Sequence, residues 1–106
     1  MAKFMIEASY TAEGSKGLIS GGGSARRTAI REMTEALGGK VEALYFAFGK
    51  HDVYVVLDLP DNIAASAIAL AVKASGALVT RTIVLVTPEE LDQATKKSVN
   101  YRAPGK

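Results

Sequence analysis

The chain has no cysteine and no tryptophan, one histidine and three prolines in 106 residues. Without cysteine there are no disulfides, no thiolate metal sites and no cysteine nucleophile. One histidine and scattered aspartates do not make a metal-ligand set, so no metal is expected. No apolar run reaches the length of a membrane span. No apolar stretch with a cleavage site follows Lys3, so no signal peptide is expected and the default location is cytoplasmic. Charge of one sign is also missing. The net charge is +2, with the basic residues scattered, which argues against a nucleic-acid or membrane-surface partner. What remains is an ordinary globular composition, 48% hydrophobic and 23% charged. The length suits one domain, 1–106, with a single core.

The apolar periodicity divides the chain into alternating elements. Phe4, Ile6, Ala8 and Tyr10 alternate with Lys3, Met5, Glu7 and Ser9, which is strand spacing. Gly14 to Gly23 holds five glycines and reads as a mobile linker rather than an anion-binding loop, because neither dinucleotide nor P-loop spacing is present; Thr11 is a candidate cap for a short helical turn, which Gly14 and Gly17 weaken. Ser24 suits the N-cap of a helix through Ile30, Met33 and Leu37, closed by Gly38-Gly39. Val41 to Phe48 and Val53 to Leu59 read as strands joined by a hairpin, and Pro60 stops the second. Asp61 or Asn62 caps a helix from Ile63 to about Ser75. That helix carries one charge, Lys73, and a helix apolar nearly all round is expected to be buried on more than one side. Leu78 to Val86 is the last strand. Thr87-Pro88-Glu89-Glu90 then has the pattern of a capping box and opens a short helix.

This order predicts an α+β fold of the ferredoxin-like βαββαβ type with an extra C-terminal helix. Both main helices should lie on one face of a four-stranded antiparallel sheet. The strands, however, are apolar or aromatic on both faces. Val53, Val55, Leu57 and Leu59 oppose Asp52, Tyr54, Val56 and Asp58. A sheet with one wet face should alternate apolar with polar. The uncovered face therefore needs a partner, and a two-fold copy of the same chain, sheet on sheet, is the expected one.

Several segments resemble the GYD domain family: Tyr10-Thr11 with Gly14 and Gly17-Leu18, Tyr45-Phe46-Ala47-Phe48-Gly49, Asp52-Val53, Asp58-Leu59-Pro60-Asp61-Asn62, and Ser98-Val99-Asn100-Tyr101-Arg102. The similarity spans nearly the whole chain. The family's Gly-x-Tyr-Asp pattern reads here Gly49-Lys50-His51-Asp52, with histidine in place of tyrosine. The resemblance implies a ferredoxin-like subunit of the dimeric α+β barrel type. It does not imply a reaction or a cofactor.

The hairpin Ala47 to Tyr54 carries the candidate chemistry. His51 is the only side chain whose ordinary titration lies near neutrality, and Asp52 beside it is a candidate to orient it for proton transfer. Adjacent strand residues point to opposite faces, so that pairing requires a distorted hairpin. The plainer expectation for His51 is a solvated hairpin tip. Gly49 is expected to supply a positive φ in the turn. Asp52, Tyr54 and Asp58 share one face at strand spacing. Together with Tyr10, Phe46 and Phe48 they are the candidate ligand-binding residues, with Arg81 and Arg26 as candidate charge partners for the carboxylates. The strand aromatics lack the basic, glycine-flanked motif of an RNA-recognition module, which weighs against nucleic acid. The segment 98–106 is expected to form an arm, because Val99 and Tyr101 alternate as they would against the body or a neighbouring subunit. The functional expectation is an oligomer, at least a dimer, binding a small metabolite between sheet and partner. Enzymatic proton transfer by His51 and Asp52 is one alternative, and a purely structural assembly unit is another.

Overall fold

The computed structural model describes residues 1–106. The order is β1 (Ala2–Tyr10), α1 (Ala12–Ala36), β2 (Lys40–Phe46), β3 (Val53–Leu59), α2 (Asn62–Ala74), β4 (Leu78–Leu85) and α3 (Pro88–Thr95). The sheet order is β2-β3-β1-β4, and every pair is antiparallel. This is the expected ferredoxin-like arrangement with one added helix.

The core follows from strand alternation. Phe4, Ile6 and Ala8 of β1 and Val53, Val55, Leu57 and Leu59 of β3 are buried beneath Ile30 of α1 and Ala64, Ala65 and Ile68 of α2. The opposite face carries Lys3, Met5, Glu7 and Ser9, paired with Asp58, Val56 and Tyr54 on β3 and with Leu85, Ile83, Arg81 and Val79 on β4. No element of the chain lies over that face to bury it: Val79 and Tyr45 are exposed. A bulge between Val41 and Ala43 shifts the register of β2.

The glycine-rich segment differs from its expectation. Gly14 to Gly23 is helical rather than a linker. Thr11, not Ser24, is the N-cap, its hydroxyl accepting from the Gly14 amide at 3.2 Å. Two features explain this. Gly14 is buried where α1 crosses the turn between α2 and β4, and a Cβ there would collide with the Ala77 carbonyl. Gly22, at φ 82° and ψ 166°, breaks the helix into two segments, a conformation that glycine adopts without the Cβ penalty. Ser24 lies inside the second segment.

The remaining caps follow the sequence. The Asp61 carboxylate accepts from the Ala64 amide at 2.9 Å and starts α2. Thr87 and Glu90 form the reciprocal capping box of α3 at 3.0 and 2.9 Å. The Glu90 carboxyl is held below its usual range by the Thr87 amide and then by its hydroxyl. Two expectations are corrected. Within the chain α2 buries a single stripe, leaving Ile63 and Leu70 exposed. Gly49 is not among the positive-φ glycines, and a Cβ there would meet open space. The hairpin turns without it.

Candidate functional site

The hairpin between β2 and β3 sends its two polar residues to different tasks. Asp52 ties the hairpin to the end of β1. Its amide donates to the Ala8 carbonyl, and its own carbonyl accepts from the Ala47 amide, both at 2.8 Å. Its carboxylate Oδ2 accepts from the Tyr10 amide, also at 2.8 Å. With its carboxylate on the backbone, Asp52 makes no hydrogen bond to His51. Strand alternation had argued against that pair.

His51 is not a solvated tip. Its side chain is 13% exposed and lies over the open face of the sheet. Nε2 is 3.2 Å from Glu7 Oε2, and Nδ1 is 3.3 Å from Ser9 Oγ. The Tyr54 ring meets the imidazole edge-on, with centroids 5.9 Å apart. An ionised carboxylate only accepts, so Nε2 carries the proton that faces Glu7. In the neutral ring Nδ1 then accepts the Ser9 hydroxyl hydrogen; in the charged ring it donates. Register explains the cluster: Glu7 pairs with Tyr54 on one side and Arg81 on the other. A base oriented by a carboxylate and touching a hydroxyl can move a proton. The orienting carboxylate is Glu7, which the sequence reading missed. Alternation had put Glu7 and Ser9 on the open face, but nothing local showed that the hairpin folds back over them.

Asp58 sits at the other end of the same face. It is buried and paired with Lys3 at 2.8 Å, and Lys3 also reaches Glu42 at 2.8 Å. The two carboxylates, Asp58 first, raise the Lys3 ammonium above its usual range. The cation partner of Asp58 is therefore Lys3, not Arg81 or Arg26. Lys3 and Asp58 are direct cross-strand partners.

The remaining candidates fall on the other side of the sheet. Tyr10, Phe46, Phe48 and Asp52 line a cleft of about 370 Å³ with Ser15 and Leu18 of α1. Tyr10 and Phe46 thus belong to the helix side rather than to the open face. Phe48 is fully exposed at the rim. The seven candidates do not form one site: His51, Tyr54 and Asp58 lie on the open face, and Tyr10, Phe46, Phe48 and Asp52 border the helix-side cleft. No cluster of acidic and histidine side chains forms a metal site. No helix is long and apolar enough to cross a membrane.

A family profile, that of the GYD domain, matches residues 4–95. The chain belongs to the GYD domain family. The match runs from within β1 to the end of α3 and leaves the end of the chain outside. Among curated proteins, comparison finds no match. In this GYD domain the residue before Asp52 is a histidine, and its ring nitrogens are held between Glu7 and Ser9.

Proposed function

We propose that this GYD domain works as a homo-oligomer, at least a dimer, and binds a small metabolite between its open sheet face and a second copy. One observation carries this reading. A concentrated polar group, Glu7, Ser9, His51 and Tyr54, stands at one end of a face that also carries Met5, Val56, Val79 and Ile83 and that no helix of the chain covers. Apolar residues such as Met5, Val56, Val79 and Ile83 favour removal from water. A convergent polar group in an apolar wall is the usual make-up of a small-molecule site. The test is thermal denaturation of the oligomer against a metabolite library. Saturable stabilisation that His51→Ala weakens supports the site. Stabilisation that is equal in both proteins places the ligand elsewhere.

The alternative is a cofactor-independent enzyme in which His51 transfers a proton. The contact between Glu7 and Nε2 favours it, in a changed form: Glu7 takes the orienting role first given to Asp52. Such an enzyme should show turnover that changes with pH between about 5 and 8, where imidazole titrates. The His51→Ala variant should lose that dependence.

A further inference from the structure

Two cavities lie on the helix side of the sheet, away from the face used in the proposed function. Tyr10, at the end of β1, and Arg26, in the second segment of α1, both point inward. The Tyr10 hydroxyl and the Arg26 Nε are each buried with no hydrogen-bond partner. They are the only buried side-chain polar atoms left without one. No carboxylate lies within ion-pair distance of Arg26. Leaving a buried polar atom unpaired is costly.

Both residues stand where two cavities meet. The inner one, about 40 Å³, is a slot between sheet and helices, lined by Ile6, Ile30, Val55 and Ile68 among others. Apart from Arg26 and Thr80 its lining is hydrophobic, Tyr10 included. The outer one, about 420 Å³, runs along the first segment of α1 past Gly14, Gly17, Gly21 and Gly22. Its size falls in the range of small-ligand sites. The helix break at Gly22 lies on its wall. Glu13 also lines this outer chamber, but it is exposed and makes no ion pair with Arg26.

The geometry points to this junction as a binding site for a small amphipathic monocarboxylate. The acid group takes the Arg26 guanidinium and the Tyr10 hydroxyl, a short apolar end enters the inner slot, and the rest lies in the outer chamber. A carboxylate suits the site because the guanidinium edge presents parallel N–H donors to two oxygens. One arginine with no ion-pair partner matches one negative charge; a phosphate would bring a second charge without a second cation. The apolar slot behind the arginine selects against acids with polar tails.

The experiment is calorimetric titration of the full chain with sodium salts of straight-chain acids from acetate to octanoate, with benzoate, and with the matching primary amides. Saturable binding is expected, strengthening from acetate to a mid-length acid and at least tenfold weaker for the amide. Arg26→Met, which keeps an apolar stem, should abolish the preference for acid over amide. Tyr10→Phe should weaken acid binding several-fold. Arg26→Met should also raise the melting temperature of the ligand-free protein, because it removes a buried unpaired donor. A structural arginine would behave in the opposite way. Absence of saturable binding by every acid overturns the proposal. So does binding that Arg26→Met and Tyr10→Phe both leave unchanged, or a lower melting temperature for ligand-free Arg26→Met. Loss of sheet-face ligand binding in His51→Ala leaves this site untouched, so the two readings fail separately.

Discussion

Asp52 and His51 are adjacent, yet their side chains do opposite things. Asp52 secures backbone and His51 faces the open sheet. Removing the Asp52 carboxylate leaves the Tyr10 amide without its acceptor, and a hydrogen bond to a charged group is worth about 2 kcal/mol. Asp52→Ala should therefore lower the unfolding free energy by about that amount in urea denaturation. His51→Ala loses two long contacts and should cost about 1 kcal/mol, without unfolding the protein. Lys3 gives a pH signature. Its ammonium is stabilised in the folded state by Asp58 and Glu42, whereas the unfolded chain releases the proton near pH 10.4. The pair's contribution is thus fully present below about pH 10.4 and declines as pH rises further. Urea midpoints measured from pH 8 to 11 should fall at the alkaline end, and Lys3→Met should remove that part of the slope. At this scale the sequence exposed the right residue types but not their partners. Tyr54 and Asp58 were placed by alternation alone. Glu7 and Lys3 became their neighbours only through the β1–β3 register, which no local pattern states.

Among the elements, α1 shows most clearly where local propensity loses. Each helical glycine costs about 1 kcal/mol relative to alanine, so a run of five argues for a linker. The helix forms because Thr11 caps it and because Gly14 allows close approach to the Ala77 carbonyl. Gly14→Ala should push α1 off that turn and lower the melting temperature. Gly17→Ala, which meets open space, should raise it slightly. The first segment of α1 should also exchange its amide hydrogens faster than the second, where Ile30 and Thr34 are buried. Hydrogen-exchange mass spectrometry resolves the two. The strands, α2 and α3 were legible because alternation, Pro60, the Asp61 cap and the Thr87–Glu90 box all act over a few residues. The kink at Gly22 was not, because a broken helix and a loop have the same glycine signal.

For the whole molecule, shape is the telling property. The radius of gyration is 16.8 Å, whereas a compact chain of this length has roughly 13 Å. None of the residues of α3 is buried, and Val99 and Tyr101 are exposed. The expected packing of Val99 and Tyr101 on their own body is therefore absent. Deleting the chain from Val99 onward should weaken the oligomer and lower its melting temperature at micromolar concentration. The two-faced strand pattern was legible from alternation; the grouping of Glu7 and Ser9 with His51 and Tyr54 was not, because the two stretches are far apart in the chain and meet only in the fold. The most direct measurement is sedimentation velocity of wild type and Val56→Asp at micromolar concentration. Val56 lies in the middle of the open face, beside Met5. The account predicts a wild-type species of at least twice 11.1 kDa, and dissociation or aggregation when an unpaired charge is placed there. A wild-type protein that sediments only as an 11.1 kDa species would contradict it.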